Sequence, residues 1–248
     1  MNESLGGLSL LGLLGDDLRR RMYTFIRRAG RGVTRDEVAR EHGISRTLAA
    51  FHLDKLLEGG LLKATYARPA GRSGPGAGRT SKYYEPSDVE ISVSVPERRY
   101  ELAGRLMAEA IRSQGPGEST GSAADRAAGE EGLRIGETAR ARRGLRRPGR
   151  QATLALAEEV LAEYGFEPYR TEAGELALRN CPFHLLSKAA PDVVCSMNRS
   201  LIQGVLHGLG SQSVEAVLEP NADECCVRLR AAARSRGRRE ETSSEPGE

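Results

Sequence analysis

The stretch Gly43–Leu62, GISRTLAAFHLDKLLEGGLL, decides how the N-terminal part of this 248-residue chain folds. Ser45 is a favourable N-cap, and the pattern predicts a helix from Arg46 to about Glu58 that ends at Gly59-Gly60. Gly43 permits a sharp turn just before this helix, so that the helix can project from the surface. Its buried stripe is predicted to comprise Ile44, Leu48, Leu53, Leu56 and Leu57.

Two further helices are predicted upstream of this stretch. Asp16 or Asp17 can cap the first, whose apolar positions recur at three- and four-residue spacing as far as Gly30: Leu18, Met22, Phe25 and Ile26. The segment Thr34–Glu37 is a capping-box pattern for a short second helix that stops at Gly43. The projecting helix is therefore the third of three.

Downstream, a hairpin is predicted from the strand-like runs Leu61–Ala67 and Ser81–Glu85. Between them lies Arg68–Thr80, which is too rich in glycine and proline to be regular and carries three arginines. Another helix, at about Glu97–Ser113, presents an apolar stripe of Tyr100, Ala103, Leu106, Met107, Ala110 and Ile111. Three helices followed by a basic hairpin tip are the order of a winged helix-turn-helix.

This order predicts a surface that reads double-stranded DNA. Arg46 can reach guanine or a phosphate, and Thr47 can serve either base or backbone. Wing cations are expected to meet phosphates or the minor groove. The predicted DNA-binding side chains are Ser45, Arg46, Thr47, Ala50, Phe51, His52 and Lys55 in the third helix, and Arg68, Arg72, Arg79 and Lys82 in the wing. The alternative is a small helical bundle on which Arg46 is merely solvated.

The stretch Gly43–Leu62 and the wing end Arg79–Ser87, RTSKYYEPS, resemble the ArsR-type winged-helix transcriptional regulators over roughly residues 15–90. The resemblance implies a homodimer on a palindromic operator. The stripe on residues 97–113, together with the first helix, is the expected dimer seam, although such a stripe is also compatible with plain core.

Charge is divided unevenly along the chain. Residues 1–150 hold 27 basic and 19 acidic side chains, whereas residues 151–233 hold 6 basic and 11 acidic ones. This division suggests that only the first part meets a polyanion. Arginine outnumbers lysine 33 to 4, so a codon-usage bias that scatters arginine over any surface is the competing interpretation.

The predicted fold class is α+β, in four segments. Residues 1–114 form the winged helix-turn-helix with a dimerisation helix, and residues 115–150 form a flexible arginine-rich linker. Residues 151–233 form a small α+β sensor domain, and residues 234–248 are a disordered tail. The predicted elements of the sensor domain are helices at about 152–164 and 191–209, a hairpin at 167–179, and strands at 214–219 and 225–230. The Leu5–Leu14 run is too short for a membrane span, so a cytoplasmic protein is expected.

All four cysteines fall in the acidic segment: Cys181, Cys195, Cys225 and Cys226. Thiolates in a reducing cytosol favour an iron–sulfur cluster or zinc, with His184 as a further candidate ligand. Neighbouring residues of a strand point to opposite faces, so Cys225 and Cys226 are not both expected in one site, and the apolar side favours Cys225. The spacings match no compact metal motif, and the competing interpretation is buried cysteines without a ligand.

The runs Asn180–Phe183, Val194–Asn198 and Cys225–Leu229, behind a winged helix, resemble the SufR-type iron–sulfur-sensing repressors. This resemblance implies that Cys181, Cys195 and one of Cys225 and Cys226 hold a cluster that controls operator binding. One alternative keeps DNA binding but makes the C-terminal domain a zinc-stapled or small-molecule-binding module. The other alternative is a thiol enzyme that uses Cys181. The absence of a Cys-X-X-Cys pair in the sequence argues against an enzyme.

Overall fold

The computed structural model describes residues 2–67, 80–144, 148–221 and 223–232. It divides into two compact units, Met1–Ser94 and Val95–Glu248. No helix within these described ranges is both long and apolar enough to cross a membrane.

The helices of the first unit begin and end where local capping chemistry allows. They are α1 (Asn2–Leu14), α2 (Asp17–Ala29), α3 (Arg35–Glu41) and α4 (Arg46–Glu58). The Asp16 carboxylate accepts a hydrogen bond from the Arg19 amide at 2.8 Å, and Ser45 Oγ accepts one from the Leu48 amide at 3.2 Å. Thr34 and Glu37 form the reciprocal capping box at the start of α3. The three helices predicted from these caps are confirmed.

A three-stranded antiparallel sheet completes the first unit. Its strands are β1 (Val33–Thr34), β2 (Leu62–Ala67) and β3 (Ser81–Pro86), in the order β1-β3-β2. The predicted hairpin is confirmed, with Leu62 opposite Pro86 and Ala67 opposite Ser81. The expected basic tip, with Arg68, Arg72 and Arg79, lies outside the described residues.

Helix α1 was not predicted, because its glycine-broken leucines have no clear helical period. Leu10, Leu13 and Leu14 nevertheless pack against the core of the first unit. Leu13 occupies the space above Gly59, where an added Cβ would meet Leu13 Cδ1 at 2.1 Å. Gly59 therefore ends α4 and also admits α1 against it.

The second unit combines helices with an antiparallel sheet. Its helices are α5 (Tyr100–Ser113), α6 (Thr120–Arg143), α7 (Arg150–Glu163), α8 (His184–Ala189) and α9 (Pro191–Gly208). Its strands are β4 (Pro168–Arg170), β5 (Leu176–Leu178), β6 (Val214–Leu218) and β7 (Val227–Ala231), in the order β4-β5-β7-β6. Buried side chains from both layers form one core, including Phe166, Phe183, Met197 and Leu229.

The prediction of a flexible linker at residues 115–150 is wrong for most of that segment. Thr120–Arg143 is a continuous helix, and Ala123, Ala124, Ala127 and Ala128 are buried on it. Alanine and glycine gave no apolar period, yet they are the residues that let two helix backbones approach closely. A Cβ added at Gly132 would lie 2.0 Å from the Leu201 carbonyl oxygen, and one at Gly204 would lie 2.2 Å from the Gly129 carbonyl oxygen. The segment is a structural layer against α9.

The predicted end of the first domain at residue 114 is also wrong. The boundary falls at Ser94, and α5 belongs to the second unit. Leu102, Leu106 and Ala110 are buried in the core that α5 shares with α6 and α9. Part of the stripe expected to form a dimer seam is therefore intramolecular core, although Ile111 is exposed. The predicted tail at residues 234–248 lies outside the described residues.

Candidate DNA-binding helix and thiol cleft

The N-terminal turn of α4 presents polar side chains to solvent. Ser45, Arg46 and Thr47 are exposed, and Ala50 is half-buried. Arg46 Nη2 lies 2.9 Å from Asp36 Oδ2 on α3, with 69 % of the Arg46 side chain accessible. An exposed pair of this kind is weak, so the guanidinium can exchange Asp36 for a phosphate or a base edge at little cost.

The buried stripe of α4 differs from the predicted one. Ala49, His52, Leu53 and Leu56 face the core, whereas Leu48 is 40 % exposed. His52, predicted to contact DNA, is only 6 % exposed, and its ring packs edge-on against Phe51. At 100° per residue Leu48 and Leu53 lie about 140° apart and cannot share one face, whereas Ala49, Leu53 and Leu56 can. The prediction overlooked that Ala49, Leu53 and Leu56 follow one another at four- and three-residue spacing, which places them on one face of the helix.

The two lysines predicted to contact DNA already have intramolecular partners. Lys55 Nζ lies 2.8 Å from Glu58 Oε2 in the next turn of α4. Lys82 Nζ, on β3, lies 3.3 Å from Asp54 Oδ1 and 5.0 Å from the Tyr84 ring centre. Lys82 thus ties the hairpin to the third helix. Its predicted phosphate contact remains a prediction.

In the second unit, the four cysteines line a single cleft of about 380 Å³. Cys181 precedes α8, Cys195 lies in the second turn of α9, and Cys225 and Cys226 precede β7. Cys225 and Cys226 both line this cleft, although the alternation of a strand did not favour both in one site, because β7 begins only at Val227 and Cys226 lies in a bend. The alternation of a regular strand does not apply there. Cys225 is buried, as the apolar pattern predicted.

The thiols interact with one another, and their pKa values diverge. Hydrogen bonding with Cys181 and Cys226, together with burial, raises the pKa of Cys225 well above its usual value. A hydrogen bond from Cys225 lowers the pKa of Cys226 to about 6. Burial and a hydrogen bond with Cys226 raise the pKa of Cys195 to about 12. The same type of bond from Cys225 lowers the pKa of Cys181. The protonation state of each thiol therefore depends on those of its neighbours.

A buried amide, which the sequence reasoning did not single out, supports this group from α9. Asn198 is completely buried, and its Nδ2 donates a hydrogen bond to Cys225 Sγ at 3.3 Å. Its Oδ1 is buried without a hydrogen-bond partner among the described residues. A buried amide N–H costs stability unless it donates a hydrogen bond. The only described acceptor of the Asn198 amide is Cys225 Sγ, so this environment favours a sulfur that accepts hydrogen bonds.

The rim of the cleft is rich in cations. Arg98, Arg179 and Lys188 line it together with Asp223 and Glu224. Arg98 Nη1 donates to the Cys181 carbonyl oxygen at 2.9 Å and also bonds Asn180 Oδ1. Three cations and two carboxylates thus line the cleft together with the thiols. Arg98 lies far from Cys181 in the chain, and its role was not predicted.

The two histidines of this region are separated. His184, predicted as a ligand, is half-buried and lines the thiol cleft. Burial lowers its pKa below the usual value, so the ring is neutral and able to coordinate at pH 7. His207 lies in another groove, where its Nε2 is 2.9 Å from Gln203 Nε2. His207 therefore does not line the thiol cleft.

Four thiols and an imidazole are donors suited to a soft metal or an iron–sulfur cluster. In the part of the chain that the structure describes, no three His, Cys, Asp or Glu side chains are already arranged as the ligands of one metal ion. The donor set therefore fits such a group chemically, and its side chains would have to converge further to hold it.

Comparison with known proteins finds a match within the first unit. Residues 14–64 match the family model HTH_20, a helix-turn-helix domain, which covers α2, α3 and α4 and the start of β2. This match supports a DNA-binding transcriptional regulator. No curated protein matches the chain.

Proposed function

We propose that the protein is a homodimeric transcriptional repressor whose thiol cleft holds an iron–sulfur cluster that controls operator binding. The observation that carries the proposal is the convergence of four cysteines, from three separate segments, on one cleft of a chain that also carries a helix-turn-helix. Cys181 and Cys225 are buried, but Cys195 and Cys226 are only half-buried, which favours more than a packing role for the group.

The first unit supplies the contact with DNA. Arg46 and Thr47 stand at the exposed N-terminal turn of α4, which is the part of a recognition helix that reaches base edges. Ser45 caps that turn, and Lys82 holds the hairpin against the helix through Asp54. The arginines of the expected wing add phosphate contacts.

The second unit supplies the sensor. Cys181, Cys195 and one of Cys225 and Cys226 are the proposed ligands, with His184 or the other thiol available as a fourth. A bound cluster supplies redox- and oxygen-sensitive iron–thiolate bonds. Arg179 and Lys188 offset the negative charge of the thiolates, and Asn198 donates to the sulfur of Cys225. These residues make the cleft suitable for an anionic, sulfur-ligated group.

Three ligands from three segments would tie the start of α8, the start of α9 and the approach to β7 together. Losing these ties would release α9, against which α6 is packed backbone to backbone. A near-complete switch between bound and free DNA requires the two forms to differ by about 5 kcal/mol. In this proposal, the three ligand bonds supply that difference.

The test is anaerobic purification and reconstitution with iron and sulfide, followed by visible absorption, iron analysis and operator binding. We expect a coloured protein, and we expect Cys181→Ser and Cys195→Ser to lose the absorption while remaining folded. His184→Ala tests the histidine ligand, and His207→Ala is its matched control outside the cleft. A wild-type protein that stays colourless and free of iron would contradict the proposal.

Zinc is the second candidate, because four thiols are also the donor set of a tetrahedral structural zinc site. A zinc-stapled sensor unit would be colourless and insensitive to oxygen. Metal analysis of the protein as isolated separates the two, since stoichiometric zinc without iron supports the staple. The DNA-binding part of the proposal is the same in both cases.

A further inference from the structure

Two large apolar side chains are exposed on the helix that is proposed to enter the DNA groove. Leu48 is 40 % exposed and Phe51 is 54 % exposed. They are three residues apart and therefore lie side by side on one face of α4. Neither belongs to the buried stripe of the helix, which runs through Ala49, His52, Leu53 and Leu56.

Their position along the helix coincides with the part that reaches base edges. The Leu48 amide is bonded to Ser45 Oγ, so Leu48 stands in the first turn and Phe51 in the second. Thr47 and Arg46 precede them, and both are exposed. The Phe51 ring is held edge-on against the buried His52 ring at a centroid distance of 5.3 Å, which limits its movement. The apolar pair is thus presented by a rigid support and not by a loop.

The neighbouring charges favour DNA over another protein as the occupant of this face. Arg46, with 69 % of its side chain accessible, holds only an exposed pair with Asp36, and Lys82 neutralises Asp54 on the next turn of the helix. A phosphate can take the place of Asp36 beside the Arg46 guanidinium while a base edge meets the apolar pair. In the major groove, the one apolar group that a base pair presents is the C5-methyl group of thymine.

We propose that Leu48 and Phe51 read thymine methyl groups and so determine which operator the protein prefers. The proposal rests on DNA binding through α4. Covering one methyl group is worth about a four-fold change in affinity, by the transfer free energy of a buried methyl-sized group. The operator is therefore expected to carry thymines opposite the first two turns of α4.

The test replaces thymine by uracil, which lacks only the methyl group. A duplex is first selected from random sequence by binding to the full-length wild-type protein, and is then made with deoxyuridine at every thymine position. We expect the wild type to bind the uracil duplex at least about four-fold more weakly at fixed salt. The double variant Leu48→Ala, Phe51→Ala is expected to bind both duplexes equally.

Val89→Ala is the matched control, since Val89 is an exposed apolar residue of the first unit outside α4. It should retain the full loss on uracil substitution. Circular dichroism checks that each variant is folded, and sedimentation checks its assembly state.

Equal wild-type affinity for both duplexes would overturn the inference, as would an undiminished loss in the double variant. A double variant that changes assembly state would mark the pair as a protein interface and equally overturn it. A wild type that selects no duplex would instead refute the proposed function.

Discussion

At the scale of single residues, the capping carboxylate of α3 connects sequence, charge and stability most directly. Glu37 Oε2 accepts hydrogen bonds from the Thr34 amide at 2.7 Å and the Thr34 hydroxyl at 2.9 Å. Arg31 Nη2 donates to Glu37 Oε1 at 2.7 Å. Chiefly through the Arg31 bond, these contacts lower the pKa of Glu37 from 4.5 to about 2.

The sign of the resulting pH dependence follows from the depressed pKa of Glu37. Its contribution to stability is fully present above pH 4.5 and is lost as the pH falls toward 2. Because the pair with Arg31 is largely solvated, we expect a contribution of about 1 kcal/mol. Unfolding of the wild type and of Glu37→Gln in denaturant, measured from pH 7 to pH 3, checks this. The stability difference between them should shrink at low pH, and a difference that does not depend on pH would contradict the assignment.

Residue-level prediction succeeded where the chemistry is local and failed where it depends on rotation about a helix axis. Asp16, Thr34 and Ser45 cap their helices as predicted, because a cap involves only three or four consecutive residues. His52 was predicted to be exposed and is buried, whereas Leu48 was predicted to be buried and is exposed. A set of five leucine and isoleucine positions suggested a stripe, but alanine and histidine complete the real one.

At the scale of elements, α6 and α9 are held together by glycines that bring the two backbones into contact. An added Cβ at Gly132 would meet the Leu201 carbonyl oxygen at 2.0 Å, whereas one at Gly129 would have its nearest neighbour at 3.7 Å. Both glycines lie on the same helix. They therefore offer a test in which helix propensity is matched and only the packing differs.

We expect Gly132→Ala to lower the free energy of unfolding by about 3 kcal/mol, because the backbone of α9 must move away. Gly129→Ala should instead raise it by up to about 1 kcal/mol, since alanine is the better helix former. Denaturant unfolding monitored by far-UV circular dichroism measures both. Equal effects of the two substitutions would show that the close approach is not what holds these helices.

The elements of the second unit were predictable except for α6. The helices α7 and α9 and the strands β4 to β7 were anticipated within a few residues, because their leucines, valines and turn residues repeat regularly. Helix α6 buries alanine and glycine, which carry little hydrophobic signal and are also typical of linkers. The thiol cleft likewise depends on where α9 and β7 meet, which no local pattern of the sequence states.

At the scale of the whole molecule, the structure changes how charge is divided. The first unit, residues 1–94, holds 15 basic and 11 acidic side chains, and the second holds 22 and 23. Many arginines that made residues 1–150 appear basic belong to α6, where Arg126 and Arg134 pair with glutamates. The excess positive charge therefore belongs with the helix-turn-helix.

This division predicts which arginines contribute to the salt dependence of DNA binding. We expect affinity to fall steeply with salt, and Arg46→Gln to reduce the slope of log K against log salt by about 1 if Arg46 contacts a phosphate. Arg134→Gln, which removes an exposed arginine of the second unit, should leave the slope unchanged. Fluorescence anisotropy on one duplex over a salt series measures both slopes. A larger change for Arg134→Gln would mean that the second unit also binds DNA.

The contact between α6 and α9 has a mechanical consequence. Where two helices meet through side chains, a push on one can be absorbed by rotamer changes in the layer between them. Here Gly132 and Gly136 face the α9 backbone directly, and Gly204 and Gly208 face that of α6. No side-chain layer separates the two helices at these four glycines, so we expect a displacement that begins at Cys195 on α9 to move α6 as well. We therefore expect α6 and α9 to move together as one rigid body.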